Sequence, residues 1–176
     1  YEYGGFYIGK YETGIADTEP DIIDETVEAR TSSSQSIEDY TPVIQANAYP
    51  YNIVTSAEAQ TLAESFATEG NITSLMFGVQ WDLVLKHLET KGTDIEDLKL
   101  SSKTWGNYSN NGTTNITNTR AKYYTSGSGW IDGAYGQKTT STNILLSTGA
   151  SEDFNKMGIY DLAGNVDEWS LEVGTT

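Results

Sequence analysis

Residues 157–169 read MGIYDLAGNVDEW and contain the most distinctive pattern in the chain. Asp161, Gly164 and Asn165 are residue types that favour turns, because their side chains are small or can hydrogen-bond to the nearby backbone. The aliphatic residues between them, and Trp169 after them, provide apolar contact area. We therefore expect a compact, turn-rich segment that folds back against the core.

Two amphipathic helices are predicted before this segment. Thr55 and Glu58 have the spacing of a capping box, which predicts a helix that begins near residue 56 and ends at Gly70. A second helix is predicted over residues 79–90. Its core-facing stripe, at intervals of three and four residues, consists of Trp81, Val84, Leu85 and Leu88.

Shorter elements are predicted on either side of these helices. Residues 5–12 alternate apolar and other side chains between glycines, which predicts a short strand. Thr93 and Glu96 repeat the capping-box spacing and predict a short acidic helix. Because the elements do not alternate as strand, helix and strand, the sequence predicts an α+β domain rather than a βαβ succession.

Composition excludes several kinds of function. The 176 residues suffice for one domain, and a formal net charge of −15 with a pI near 4.2 disfavours nucleic acid and anionic membranes as partners. The chain has no cysteine and one histidine, His87, which we expect to lie off the core face of the second helix. Thiolate chemistry within these residues is therefore excluded, and no apolar run is long enough to predict insertion into a membrane.

Two long segments have unusual compositions. Residues 17–41 are acidic and then serine-rich, which predicts a mobile insertion. In residues 101–150, 30 of the 50 side chains are Ser, Thr, Asn or Gly, yet six aromatic residues are interspersed among them. Because disordered segments are poor in aromatic residues, we expect this section to be ordered, rich in loops and exposed on the surface.

Three blocks of the chain resemble the formylglycine-generating enzyme family, also called the sulfatase-modifying factor family. Residues 6–12 resemble its opening strand, and residues 49–54 and 75–81 resemble its central two-helix section. Residues 157–169 are similar to its signature, which ends Gly-Asn-Val-Trp-Glu-Trp. The resemblance implies a loop-rich C-type lectin-like fold, with residues 1–176 forming a single partial domain that is truncated before its C-terminal strands.

The chain also departs from the family pattern. Asp167 stands where the signature has tryptophan, and residues 77–79 replace the usual Pro-Thr-Glu. In the family, an Arg-Gly-Gly-Ser-Trp-like block and the copper-binding cysteines follow the part that these residues resemble. A copper-dependent oxidase that makes formylglycine therefore remains an alternative function, and a structural spacer in a surface filament is a third.

The favoured function follows from the family's non-catalytic branch, which uses this fold to display a binding surface. Aromatic side chains among Ser, Thr, Asn and Gly are typical of recognition loops. We therefore expect a non-catalytic domain for adhesion or receptor recognition, located outside the cell, at the cell surface or on a virion. Its ligand is expected to be a carbohydrate or a protein, bound by Trp105, Tyr123, Trp130 and Tyr135.

The resemblance also implies structural calcium. Carried over residue by residue, one site consists of the carbonyl oxygens of Ala163, Gly164 and Val166 with the carboxylate of Glu168. A second family site has Asn107 as its nearest match. Oxygen ligands of this kind suit Ca²⁺. The alternative is that Glu168 and Asn165 cap a turn by hydrogen bonding to nearby backbone N–H groups.

Overall fold

The computed structural model describes residues 4–16 and 27–172. Within these residues the chain forms three α-helices and three small antiparallel sheets, which confirms the α+β prediction. None of the described helices is long and apolar enough to cross a membrane.

The first sheet has three short strands. Strand β1 (Gly14–Ile15) pairs with both β2 (Pro42–Val43) and β3 (Tyr49–Pro50). The predicted strand over residues 5–12 is wrong, because none of these residues lies in a strand. Their backbone instead runs beside the turn-rich segment, where the amide of Tyr160 donates a 2.8 Å hydrogen bond to the carbonyl of Lys10.

Helix α1 (Ser56–Ser65) begins as predicted. The amide of Thr55 donates to Oε2 of Glu58 at 2.8 Å, and the amide of Glu58 donates to Oγ1 of Thr55 at 3.3 Å. This reciprocal pair satisfies two amides of the first turn and confirms the capping box. The helix stops well before Gly70, because Phe66 already forms its C-cap.

Helix α2 (Gly78–Thr90) carries the predicted core stripe, with Val84 and Leu88 buried. Trp81 is only partly buried, which corrects the expectation that it lies in the core. Helix α3 (Ile95–Lys99) is capped by Asp94 rather than by Thr93. The reason is that the amide of Thr93 is used to close α2, donating to the carbonyl of Leu88 at 3.0 Å.

The polar section forms the two remaining sheets. Strand β4 (Asn115–Ile116) pairs with β7 (Gly136–Gln137). Strand β5 (Lys122–Thr125) lies between β6 (Gly129–Asp132) and β8 (Leu145–Leu146).

The expectation that this section is surface-exposed is wrong for many of its polar side chains. Fully or nearly fully buried are Ser102, Asn107, Asn111, Thr114, Lys138, Ser147 and Thr148. Asn111 shows why, because its Nδ2 donates to the carbonyl of Gly106 at 2.9 Å and to Oγ1 of Thr114 at 3.0 Å. Side-chain amides and hydroxyls thus satisfy buried polar groups that short strands leave without ladder partners.

The predicted insertion at residues 17–41 lies partly outside the described residues, which resume at Val27. From there to residue 41 only Ala29 and Arg30 are buried, and the other side chains are partly or fully exposed, so the mobile insertion stays a prediction. Arg30 is buried, its Nε donates to the carbonyl of Gln35 at 3.2 Å, and its NH2 lies 3.6 Å from Oε1 of Glu58. The buried guanidinium therefore anchors this segment to the start of α1.

The turn-rich segment closes the fold as expected. Ala163 packs with Val84 and Leu88 of α2, and Gly164 forms a parallel bridge with Asn107. The approach is close, because a methyl group on Gly106 would lie 2.2 Å from the carbonyl oxygen of Ala163. Glycine at position 106 is thus required both by this contact and by its φ of 80°.

Candidate functional site

A groove with a volume of about 940 Å³ lies beside α1 and α2. We call it the acidic groove. Its other walls come from residues 5–13, 71–77 and 159–169. Its apolar lining includes Leu62, Phe66, Met76, Phe77, Trp81 and Trp169. The volume is at the upper end of the range for ligand pockets.

Carboxyl groups from two distant parts of the chain meet in the acidic groove. Burial raises the pKa of Glu12 well above its usual value, and the nearby negative charges of Asp161 and Glu168 raise it further. Burial likewise raises the pKa of Asp161 to about 6. Because both shifts disfavour the charged form, the groove holds carboxyl groups without sufficient compensating positive charge.

Glu168 lies nearer the opening of the groove. The residue is exposed, but the surrounding protein still removes part of the water from its carboxyl group. This desolvation raises the pKa of Glu168 above its usual value, and the negative charges of Asp167 and Asp161 raise it further. This residue was predicted as a calcium ligand. Sequence reasoning missed Glu12 and Asp161, and the only available signal was that both lie in blocks that resemble the family.

The two oxygens of Glu12 differ in their contacts. Oε1 accepts a 2.5 Å hydrogen bond from Nδ2 of Asn165, whereas Oε2 is buried and has no hydrogen-bond partner. Asp161, by contrast, uses its Oδ2 to accept a 2.6 Å hydrogen bond from the amide of Gly149. Glu12, which lines the acidic groove, therefore has one buried acceptor atom without a partner.

Asn107 was predicted to belong to a second calcium site, but its side chain instead takes part in hydrogen bonds within the protein. Its Oδ1 accepts a 2.6 Å hydrogen bond from Nζ of the buried Lys138, whose pKa is lowered by burial. Its Nδ2 donates to Oδ1 of Asn165 at 2.8 Å and to the carbonyl of Ile144 at 2.9 Å. An ammonium group already faces the side-chain oxygen of Asn107, so this position does not fit a calcium ion.

The carbonyls predicted to bind calcium are partly engaged. The carbonyl of Ala163 accepts from the amide of Asn107 at 3.0 Å, and that of Gly164 accepts from the amide of Val166 at 3.1 Å. Each keeps a second lone pair. In the described part of the chain, no group of three or more His, Cys, Asp or Glu side chains is arranged to hold a metal. The fit therefore depends on Glu168 and on backbone oxygens.

A second surface lies on the hairpin formed by β5 and β6. Tyr124 and Trp130 face each other across the strands, with ring centroids 5.9 Å apart, and Tyr49 of β3 contacts Trp130 at 4.9 Å. On the same face Lys122 pairs with Asp132 at 3.3 Å. We call these five residues the aromatic face. Tyr124 is 39% exposed, so its ring is accessible to a ligand.

The structure separates the four side chains that were predicted to bind a ligand. Trp130 belongs to the aromatic face. Trp105 is only 2% exposed and packs in the core, which corrects its assignment to a binding surface. Tyr123 and Tyr135 contact each other at 5.1 Å and pack against a hydrophobic cluster around Leu146. Strand alternation places Tyr123 on the opposite side of β5 from Tyr124.

His87 is exposed on α2, as predicted.

Comparisons of the chain with protein families, with curated proteins and with solved structures found no match. The acidic groove and the aromatic face are therefore the two features of the described residues that bear on function.

Proposed function

We propose that this chain is a non-catalytic recognition domain that binds a carbohydrate or protein ligand through the aromatic face. The scaffold proposed for it is the C-type lectin-like fold of the formylglycine-generating enzyme type, and the proposed location is extracellular, on a cell surface or on a virion. The observation that carries the proposal is the cluster of Tyr49, Tyr124 and Trp130 on one accessible side of a hairpin.

The chemistry of the aromatic face supports ligand binding. Aromatic rings provide large contact areas at a low cost in conformational entropy. The edge contacts between Trp130 and its two tyrosine neighbours hold the rings in place before a ligand arrives. The pair of Lys122 and Asp132 supplies a donor and an acceptor beside the rings. Saccharides and protein surfaces both offer this combination of apolar and polar contacts.

Further support for the proposed scaffold comes from the turn-rich segment. It crosses the domain between the polar section and α2, where Gly164 bridges to Asn107 and Ala163 packs on Leu88. Long loops of the polar section are thereby held on a small core. Such loops can vary in sequence without loss of the fold, which suits a display function.

Structural calcium is part of the same proposal. The ligands would be Glu168 and the carbonyl oxygens of Gly164, Val166 and Ala163, all on the turn-rich segment. A bound cation would compensate the negative charge that Asp161 and Glu168 share. Calcium supplies no step of a reaction here; it would stabilise the turn that connects the polar section to α2.

An oligosaccharide panel tests the proposed function directly. Wild-type protein, Trp130→Ala and Tyr124→Ala are compared on immobilised neutral and acidic oligosaccharides, with Leu100→Ala as the control because Leu100 is 70% exposed and lies outside both the aromatic face and the acidic groove. We expect at least tenfold weaker binding for the two hairpin variants only. Equal binding by all four proteins would contradict the proposal, and binding to no saccharide would restrict it to a protein ligand.

A further inference from the structure

The charge of the acidic groove is of one sign. Among the described residues that line it, four are acidic, namely Glu12, Asp161, Asp167 and Glu168, and none is Lys, Arg or His. The chain as a whole has a net charge of −15. Both the local and the overall charge therefore favour a cationic occupant and disfavour an anionic one.

The buried carboxylate of Glu12 lacks a counter-ion. Within the described ranges the ion pairs lie elsewhere, at Arg30 with Glu58, Lys86 with Glu89, Lys99 with Glu96 and Lys122 with Asp132. Lys10, two positions before Glu12, is the nearest basic residue in sequence, but its Nζ lies over the rings of Tyr11 and Tyr160, at 5.2 and 5.5 Å from their centroids. A buried carboxylate oxygen without hydrogen bond or cation is costly, and a cationic group from outside would remove that cost.

The rim of the groove is apolar. Phe6, Ile72, Phe77 and Trp169 all line it, and each leaves a large part of its apolar surface in solvent. Ile72 is 97% exposed. Large apolar side chains gathered around a cavity mark a surface that another molecule covers. A free metal ion or a small amine would neutralise Glu12 but would leave this rim uncovered.

We propose that the acidic groove binds a peptide segment in which a Lys or Arg side chain is flanked by apolar side chains. The cationic group provides the counter-charge for Glu12, whose Oε2 has no hydrogen-bond partner, and the carboxyl of Asp161 adds to the attraction. The flanking side chains cover Phe77, Ile72 and Trp169 at the rim. This site is separate from the aromatic face, so it adds a second partner to the proposed recognition domain.

The charge of Glu12 is consistent with this occupant. Its raised pKa arises first from burial and then from the neighbouring carboxyl groups. A cationic group beside Oε2 favours the ionised form and lowers that pKa again. Binding of the basic segment therefore strengthens the attraction that recruits it.

Selection from a displayed library of random peptides tests the proposal on the whole chain. We expect the peptides retained by the wild-type protein to be enriched in a basic residue between apolar ones. A selected peptide is then resynthesised with norleucine in place of lysine, which keeps the aliphatic stem and removes the charge. We expect at least tenfold weaker binding of the norleucine peptide by calorimetry.

Variants of the protein test whether the peptide binds in the acidic groove. Glu12→Gln keeps an acceptor for Asn165 and removes the charge, and we expect it to weaken binding of the lysine peptide at least tenfold. Ile72→Ser changes only the exposed rim, and we expect a loss of about threefold. The matched controls are Glu89→Gln, a partly exposed carboxyl of α2 that does not line the groove, and Leu100→Ser, which is 70% exposed and does not line it either.

Each other outcome overturns the proposal. Selected peptides without a basic residue, or equal binding by wild-type protein and Glu12→Gln, would show that charge does not select the ligand. Loss of peptide binding on addition of Ca²⁺ to Glu168→Gln, which lacks the proposed calcium ligand, would assign Glu12 and Asp161 to a metal. Self-association in analytical ultracentrifugation that disappears in Ile72→Ser would assign the groove to a second copy of the chain.

Discussion

The side chains of Asn107 and Asn165 are joined by a 2.8 Å hydrogen bond from Nδ2 of Asn107 to Oδ1 of Asn165, although 58 positions separate them in the chain. Each residue then contacts a charged group, because Asn107 accepts from Nζ of Lys138 and Asn165 donates to Oε1 of Glu12. Two amides thus link a buried lysine to a partly buried glutamate. This chain of contacts connects the polar section to the acidic groove.

Removal of Asn165 should be costly for two separable reasons. Asn165→Ala and Asn165→Gly both lose the contacts to Glu12 and to the backbone of Leu146, and we expect each to lower the free energy of unfolding by about 2 kcal/mol or more. Asn165 has a φ of 75°, so the alanine variant should lose about 1 kcal/mol more than the glycine variant. Urea denaturation measures both, and equal stability of the two variants would contradict the argument from strain.

The close approach of Gly106 to Ala163 makes a second prediction. We expect Gly106→Ala to lose about 3 kcal/mol or more, because the new methyl group would displace the bridge between Asn107 and Gly164. Gly127 is the matched control, because it also has a positive φ, of 98°, but no atom within 4 Å of an added Cβ. Gly127→Ala should lose only about 1 kcal/mol. Similar losses in thermal unfolding would show that the packing contact is unimportant.

Arg30 should anchor residues 27–41. We expect Arg30→Ala to lower the free energy of unfolding by about 3 to 5 kcal/mol, because it empties the site of a buried guanidinium and leaves partly buried carbonyls and Glu58 without their partner. Limited proteolysis should then cut within residues 27–41. Lys86→Ala removes only an exposed pair with Glu89 and should cost less than about 0.5 kcal/mol. An uncut Arg30→Ala protein of wild-type stability would overturn this role.

Asp161 should make the folded protein less stable as pH rises. Its folded pKa of about 6 lies above its ordinary value of 3.8, so the folded state binds more protons than the unfolded state between these values. The associated stability is present below about pH 4 and is lost as pH rises through about 6. Asp161→Asn tolerates the positive φ and still accepts from Gly149.

In the presence of EDTA, the melting temperature of the wild-type protein should therefore fall between pH 5 and pH 7, and that of Asp161→Asn should fall less. The lowered pKa of Glu152, which comes first from its hydrogen bond with Tyr160, acts in the opposite direction, but only as pH falls below about 4.5. A melting temperature that rises equally in both proteins would contradict the assignment of a raised pKa to Asp161.

Calcium binding at the turn-rich segment predicts a concentration-dependent stabilisation. At about 100 times its dissociation constant, Ca²⁺ should add about 2.7 kcal/mol, which for a chain of this size raises the melting temperature by roughly 5 to 10 °C. EDTA should reverse the effect. Glu168→Gln should abolish it, whereas Glu89→Gln should not. An unchanged melting temperature over a wide range of calcium concentrations would remove the metal from the proposal.

Local patterns in the sequence predicted local structure well. The capping box of Thr55 and Glu58 and the buried pair Val84 and Leu88 depend on neighbours within a few residues, which one stretch of sequence contains. The short strand over residues 5–12 was predicted wrongly, because its alternation reflects contacts with a segment about 150 residues away. Likewise, Trp105 was assigned to the surface because its polar neighbours in sequence do not reveal that it packs on α2.

The sequence by itself therefore determined the α+β class, the amphipathic helices, the exclusion of thiolate chemistry within these residues and the turn-rich character of residues 157–169. Only the tertiary structure decided that Glu12 and Asp161 share one groove and that Tyr49 joins the hairpin aromatics. The physical reason is that helix caps and periodicity arise from short-range hydrogen bonds and side-chain spacing. Burial, charge repulsion and ring contacts depend instead on which distant segments the folded chain brings together.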